Sequence, residues 1–262
     1  MKRAWTLATI VWLEMIRRKD IYVLFIMLAA LLVAMIALDV FGLGQVTGYV
    51  KDIGLLAAWL LGWILAINTS IRQLPQEETR GTIFPLLAKP VTRWELIVGK
   101  WLGVWVVVMT AMLLFYLTTW GVVALKGGAF NPLTLIQAFV LHAVALAVLV
   151  AIGIALSTRL NADAAAAMAY VLTGAAFAIV PHISMLLAVT TGLRGALLNA
   201  LYYLLPHFEL FDLRRRLVHD WGAAEGLAVG GATLYGALLT LGFLLLAWIG
   251  YRRKRFSRGE IL

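Results

Sequence analysis

Six long stretches of this chain are almost free of charged residues, and they limit its fold more than any other feature of the sequence. A bilayer core about 30 Å thick is crossed by roughly 20 apolar residues in a helix, and a spanning backbone has to satisfy its own hydrogen bonds. Blocks of that length therefore predict transmembrane helices. The six predicted spans cover residues 21–38, 53–71, 101–125, 132–156, 164–189 and 223–250.

The amino-acid composition narrows the class of protein further. Of the 262 residues, 63% are hydrophobic and only 13% are charged, which lies far outside the average for soluble proteins. The apolar residues run continuously instead of alternating with polar ones, so the strands of an outer-membrane barrel are excluded. The sequence predicts an all-α integral membrane protein with one transmembrane domain over residues 1–262.

The distribution of basic residues predicts the orientation in the membrane. Six spans place both termini on the same side, and Lys and Arg concentrate on the cytoplasmic side of membrane proteins. Sixteen of the 22 Lys and Arg residues lie on the side of the termini, and six lie on the other side. We therefore expect cytoplasmic termini and a cytoplasmic loop at 72–100.

The N-terminal segment 1–20 carries charges at Glu14 and at residues 17–20, so it is not expected to be a secretory signal, and the first span is expected to be an uncleaved anchor. Residues 2–19 predict an amphipathic helix at the cytoplasmic surface, because large apolar side chains recur at helical spacing from Trp5 to Ile16. It would anchor the chain to the membrane surface, or also contact a cytoplasmic partner.

The most polar sequence of the chain is the loop 72–100. Thr92 and Glu95 fit a capping box, so a helix is expected to begin near Arg93 and to run into the third span. Val91 and Leu96 occupy the positions of a hydrophobic staple. Upstream, prolines bracket a second helical segment. Such an ordered loop predicts a binding partner, because ordering costs conformational entropy.

With these residues the loop resembles the cytoplasmic loop that follows the second span in the membrane subunits of ABC-2-type ABC transporters. The matching residues are Glu78, Arg80-Gly81-Thr82, Leu86-Leu87-Ala88, Pro90-Val91, Arg93, Glu95-Leu96, Gly99-Lys100 and Gly103. The resemblance covers about a tenth of the chain, and the length and the six-span topology agree with it. It implies a prokaryotic plasma (inner) membrane permease with both termini cytoplasmic.

In that family the loop forms a coupling helix that sits in a cleft of an ATP-binding subunit. The resemblance implies this role for Glu77, Glu78, Arg80, Gly81, Thr82, Leu86, Leu87, Pro90, Val91, Arg93 and Glu95. It also implies two copies of the ATP-binding subunit, which would bind ATP and Mg, and a second copy of the permease or a homologous permease. The alternative is an interfacial hairpin without a partner.

Several functions are disfavoured by what the sequence lacks. It contains no GxxxxGK[ST] phosphate loop, so ATP hydrolysis is expected in a partner and no catalytic residue or cofactor is assigned to this chain. The four histidines occur singly, which disfavours a metal site. The basic excess of +9 is scattered, so no nucleic acid is expected as a partner. The cytoplasmic-loop sequence pattern of bacterial ABC importers is absent from the sequence, which favours export over import.

Polar residues inside the spans are candidates for a translocation pathway. Gln137, His142 and His182 are costly in lipid and should face protein or water. Each either lines a pathway or makes an interhelical hydrogen bond. Small residues recur every four positions at 54–66 and again at 222–230, which suits close helix packing or a sliding contact between protomers.

The segment 190–222 is expected outside the membrane and before the last span. Its apolar run 195–205 is too short to span, which predicts a re-entrant or surface helix. Arg214, Arg215 and Arg216, beside apolar residues from Leu210 to Val218, predict a helix lying among the lipid headgroups. These arginines would anchor the segment to lipid, or bind an anionic substrate or an envelope protein at an outer gate.

Three functions remain open on these observations. The first is a permease subunit that exports or extrudes a substrate. The second is a mechanotransmitting or scaffold subunit that uses ATP-driven motion to act on an envelope partner and moves no solute. The third is an intramembrane enzyme, for which the spans lack a matched nucleophile, base and acid.

Overall fold

The structure is a computed structural model that describes Thr9, residues 26–28, 30–31 and 33, and residues 46–75, 92–187 and 190–252. The helices in its continuous parts are α1 (Val46–Ser70), α2 (Arg93–Leu125), α3 (Pro132–Ser157), α4 (Ala162–Leu187), α5 (Gly192–Leu204), a 3-10 helix (Phe208–Phe211), α6 (Arg214–Val218) and α7 (Gly226–Arg252). No strand occurs among the described residues.

Helices α1 to α4 and α7 are each long and apolar enough to cross a membrane. They correspond to the second to sixth spans that the sequence predicts, so the prediction of an all-helical, multi-pass membrane protein is confirmed for this part of the chain. The amphipathic helix predicted at 1–20 lies almost wholly outside the described residues, as does most of the first span at 21–38. The loop residues 76–91 lie outside them as well.

Local sequence explains where two of the spans begin. The Thr92 hydroxyl accepts a hydrogen bond from the Glu95 amide at 3.2 Å, and the Thr92 amide donates to the Glu95 carboxylate at 2.9 Å. This is the capping box expected from the sequence, and it starts α2 at Arg93. At the start of α3, the Asn131 side chain accepts from the next two free amides, and Pro132 occupies the first helical position.

Helix α3 forms the centre of the bundle and packs against α1, α2, α4 and α7. Every residue from Ala145 to Ile154 is buried. Such a helix is apolar on all sides because each side meets another helix. Two tryptophans of α2 attach to it, since the indole N–H groups of Trp101 and Trp105 each donate to an α3 carbonyl at 3.0 Å.

The small residues of α1 serve packing within the chain. All four of them, Gly54, Ala58, Gly62 and Ala66, are buried inside the bundle, which favours close helix packing over a sliding contact between protomers. A further close approach occurs at Gly153 of α3, where an added Cβ would collide with the Ser70 hydroxyl of α1. By contrast, Gly226 and Gly230 face open space.

The bundle has two ends. One end holds the starts of α2 and α4 and the ends of α1, α3 and α7, and we call it the Arg93 end. The opposite end holds the starts of α1, α3 and α7 together with α5 and α6, and we call it the Lys51 end. Helix α5 corresponds to the short helix predicted at 195–205, and Gly195 is its one buried residue.

The segment 205–218, here called the plug, enters the bundle from the Lys51 end. The prediction of a headgroup helix is wrong for Phe211 and Leu217, which are buried in the core, whereas Leu210 is exposed. Phe211 fits against α7 because Gly236 has no side chain, and an added Cβ would lie 3.0 Å from its ring. Filling this interior gap removes more apolar surface from water than the headgroup region could.

Candidate functional site

Arg93 joins two helix ends at the Arg93 end of the bundle. Its Nη1 donates hydrogen bonds to the carbonyl oxygens of Tyr251 at 2.7 Å and Arg252 at 2.6 Å. The last carbonyls of a helix lack partners within the helix and carry partial negative charge, so a guanidinium is well suited to them. The first residue of α2 is thereby attached to the last turn of α7.

The structure brings together only part of the predicted coupling loop. Arg93 begins α2, and the Glu95 carboxylate contacts the amide and hydroxyl of Thr92, both at 2.9 Å. The other predicted coupling residues lie outside the described residues. They are Glu77, Glu78, Arg80, Gly81, Thr82, Leu86, Leu87, Pro90 and Val91. Of the predicted coupling residues, the structure therefore describes Arg93, which contacts α7, and Glu95, which contacts Thr92.

An ion pair closes the Lys51 end. Lys51 of α1 contacts both carboxylate oxygens of Asp220 at 2.9 Å, and its ammonium lies 5.0 Å from the centre of the Phe130 ring. The Lys51 side chain is 5% exposed, whereas that of Asp220 is 60% exposed. Asp220 has a φ of 51°, a left-handed conformation that Asp tolerates better than most residues. The turn after α6 is thus attached to the start of α1.

A second link at this end involves Gln137. Its side-chain amide donates to the Ala224 carbonyl at 2.9 Å, and its side-chain oxygen accepts from the Ala224 amide at 2.8 Å. Both hydrogen bonds connect α3 to the residues just before α7. The Gln137 side chain thus bonds to backbone outside the helices, and its role in a pathway stays a prediction.

The three predicted arginines have different surroundings. The Arg214 guanidinium pairs with Asp212 at 2.7 Å and lies 5.9 Å from the ring centre of Trp59. Arg215 is exposed, and Arg216 reaches the Ala223 carbonyl at 3.5 Å. The Arg214 guanidinium is therefore already paired with a carboxylate two residues earlier in the chain.

The two predicted pathway histidines also differ. His182 is exposed and contacts the Ala178 carbonyl of its own helix at 3.0 Å. His142 is completely buried and stacks on Trp59, with ring centres 4.2 Å apart. Both of its ring nitrogens lack a hydrogen-bond partner among the described residues. His142 is thus a fully buried polar side chain whose ring nitrogens have no hydrogen-bond partner among the described residues.

The sequence analysis did not identify Lys51, Asp220 or Trp59. A lysine and an aspartate at the margins of apolar stretches were visible, but their 169-residue separation carries no signal of contact. Within the described ranges, no three His, Asp or Glu side chains lie close enough together to hold a metal ion.

Comparison with known families identifies the chain. Residues 8–254 match the model of a family described as ABC-2 family transporter protein. The chain belongs to the ABC-2 transporter family. The resemblance that the loop indicated is therefore confirmed over nearly the whole chain. A search of curated proteins found no match.

Membership of the ABC-2 family assigns a general role to the contacts described above. ABC-2 membrane subunits are typically non-catalytic and generally pair with ATP-binding subunits. In this ABC-2 protein, the contact between Arg93 and α7 lies directly after the loop that resembles a coupling helix. The ion pair of Lys51 and Asp220 and the plug lie at the opposite end.

Proposed function

We propose that this chain is the permease subunit of an ABC-2 exporter that is driven by a separate ATP-binding subunit. The loop at residues 77–97 would bind that subunit, and two copies of each would assemble in a prokaryotic plasma membrane with the termini cytoplasmic. The observation that carries the proposal is the attachment of Arg93 to the carbonyls of Tyr251 and Arg252. These two hydrogen bonds connect α2 to α7 directly after the loop.

Force applied to the loop would move α7 as well as α2. The hydrogen bonds of Arg93 join the two helices at one point, and α7 then crosses the whole bundle to Gly226. A helix is stiff along its axis, because each turn is hydrogen-bonded to the next. Displacement of the Arg93 end of α7 would therefore reach its other end.

At the Lys51 end this displacement would meet two links. Gln137 holds the residues just before α7, and Lys51 holds the turn after α6. Both would have to rearrange before the plug could leave the bundle. The arrangement supports a cycle in which nucleotide-driven movement at one end opens the other, while this chain performs no covalent chemistry.

Purification tests the partner. The tagged chain is extracted gently from native membranes, and co-purifying proteins are identified and counted. We expect an ATP-binding chain at equal stoichiometry, which is lost in Gly81→Trp and Glu78→Lys. Leu204→Trp is the matched control, since Leu204 is 79% exposed at the opposite end. Recovery of the chain alone, in a detergent that preserves other transporter complexes, would contradict the proposal.

A second candidate is a mechanotransmitting subunit that moves no solute. It is favoured by the apolar surface of α5, where Leu193, Leu197, Tyr203 and Leu204 are all exposed. Lipid or an envelope protein would cover this surface. Reconstitution separates the two functions, because an exporter supports ATP-dependent solute movement with its ATP-binding subunit alone. A transmitter would hydrolyse ATP there without moving solute.

A further inference from the structure

Two polar side chains face each other inside the bundle without hydrogen-bond partners among the described residues. His142 of α3 and Tyr116 of α2 are both buried, and their ring centres lie 5.9 Å apart. The unpartnered atoms are Nδ1 and Nε2 of His142 and the hydroxyl oxygen of Tyr116. Each residue lies about ten positions from the Lys51 end of its helix, which corresponds to a depth of about 15 Å.

These atoms have a definite hydrogen-bonding capacity. A neutral imidazole has one N–H donor and one acceptor nitrogen, and a phenol both donates and accepts. Leaving such groups buried and unsatisfied costs free energy, because each gives up its hydrogen bonds to water. The pair is therefore matched to a third group that can donate and accept at the same time.

The surroundings select an uncharged group. Trp59 covers one face of His142, and Phe139 places its edge against Tyr116 at 5.6 Å between ring centres. Neither α3 nor the part of α2 after Lys100 contains an Asp, Glu, Lys or Arg residue. Arg214, which lies against the Trp59 ring, is already paired with Asp212. A charged ligand would find no counter-charge on α2 or α3 at this depth and would be expensive to bury.

Gly62 of α1 lies close to the histidine. An added Cβ at this position would be 3.4 Å from Nε2 of His142 and 3.4 Å from the Leu146 side chain. The absence of a side chain at Gly62 therefore lets the backbone of α1 approach the unpartnered Nε2.

We propose that His142 and Tyr116 form a binding site for a hydroxyl group inside the bundle, with the α1 backbone at Gly62 beside it. The hydroxyl donates to one ring nitrogen of His142 or to Tyr116 and accepts from the other. It belongs either to water or to a hydroxylated solute, which share this chemistry.

A series of aromatic rings connects the plug to this site. Phe208 of the plug stacks on Phe177 of α4 with ring centres 4.8 Å apart, and the Phe177 ring lies 5.9 Å from the Trp59 ring at an interplanar angle of 89°. Trp59 is the residue that covers His142. The plug therefore packs against the residues that surround His142.

Solid-state NMR of the full chain in lipid vesicles, labelled with ¹⁵N-histidine, tests the site. The chain has four histidines, so His142→Phe assigns the ring signals of residue 142. Magnetisation transfer from mobile water reports a bound water. Titration with 1-octanol, compared with octane, reports a hydroxylated solute through a saturable change in the His142 shifts.

We expect transfer from water to His142, a saturable response to 1-octanol but not to octane, or both, and Tyr116→Phe should remove most of that signal. The exposed His182 is the internal reference, and its signals should not change in Tyr116→Phe. Water transfer alone identifies water as the ligand, and the 1-octanol response identifies a solute.

Two results would overturn the site. One is the absence of both signals at His142 in a folded sample. The other is a His142 signal that Tyr116→Phe leaves unchanged, since the two residues would then not share a ligand. The measurement needs no ATP-binding subunit, so its outcome is independent of the proposed function.

Discussion

At the scale of single residues, Arg93 is a predicted coupling residue that contacts another helix of the same chain. The resemblance implied that it contacts an ATP-binding subunit, and the structure directs Nη1 to two carbonyls of α7. The capping box at Thr92 was readable from the sequence because all its atoms lie within four residues. The contact with α7 was not, because Tyr251 lies 158 residues away.

Replacing Arg93 should uncouple the protein. Arg93→Ala removes both hydrogen bonds to α7, and hydrogen bonds to a charged group contribute about 1.5–3 kcal/mol. We expect a lower unfolding temperature and less transport for each ATP hydrolysed, while the ATP-binding subunit stays bound. The measurement is the ratio of transport to ATP hydrolysis in vesicles. Arg72→Ala, at an exposed arginine of the same end, should behave as the wild type.

Gly153 should tolerate no side chain. Alanine favours a helix over glycine by about 1 kcal/mol, but its Cβ would collide with Ser70. Overpacking typically costs about 1–3 kcal/mol, so we expect Gly153→Ala to lower the free energy of unfolding.

A double-mutant cycle isolates that collision. Gly153→Ala combined with Ser70→Gly should recover stability relative to Gly153→Ala alone, because the atoms that collide are gone. Gly174→Ala is the control, since its Cβ would lie 3.8 Å from Trp63, an ordinary contact. Equal losses for Gly153→Ala and Gly174→Ala would mean that α1 and α3 are less close than the structure indicates.

At the scale of elements, sequence and structure agree on the second to sixth spans and differ on the plug. Continuous apolar runs locate a transmembrane helix whatever its neighbours are. The segment 205–218 is short and mixed, and the same apolar residues suit lipid headgroups or a protein interior equally well. What decides between them is space inside the bundle, such as that left by Gly236, and a single sequence does not contain that information.

Breaking the ion pair of Lys51 should loosen the plug. The chain lacks cysteine, so a single cysteine in place of buried Leu217 reports opening through its reaction with a membrane-impermeant thiol reagent. Lys51→Met removes the partner of Asp220. The Asp220 side chain that remains is 60% exposed, so the loss is at most about 1 kcal/mol, and we expect labelling to be about twofold to fivefold faster.

Asp220→Asn should act in the same direction, since it removes the charge that Lys51 contacts. A cysteine in place of Tyr203, which is 78% exposed, should react at one rate in all backgrounds. An unchanged rate at position 217 after Lys51→Met would show that the plug does not depend on this pair.

At the scale of the whole molecule, a motif covering a tenth of the chain indicated the family that the match over residues 8–254 confirms. A short loop sufficed because its charged residues, glycines and prolines form a specific pattern. The substrate could not be predicted in the same way. When every face of a helix is apolar, periodicity does not reveal which face lines a pathway.

The proposed orientation predicts opposite labelling at the two ends. In the cysteine-free chain, a cysteine replacing exposed Tyr203 should react with an impermeant reagent in intact cells. One replacing exposed Arg159, between α3 and α4, should react only after the membrane is permeabilised. The reverse pattern would place the coupling loop outside the cell and rule out an ATP-binding partner there.

The length of α2 has a consequence for the lipid that surrounds the protein. Its 33 residues extend about 50 Å, whereas the hydrocarbon layer is about 30 Å thick. A helix of this excess length tilts or projects, and the choice depends on acyl-chain length. Because α2 begins at the residue that holds α7, a thinner or thicker bilayer changes the angle at which the two helices meet. The thickness of the membrane would therefore affect how α2 and α7 are held together at the Arg93 end.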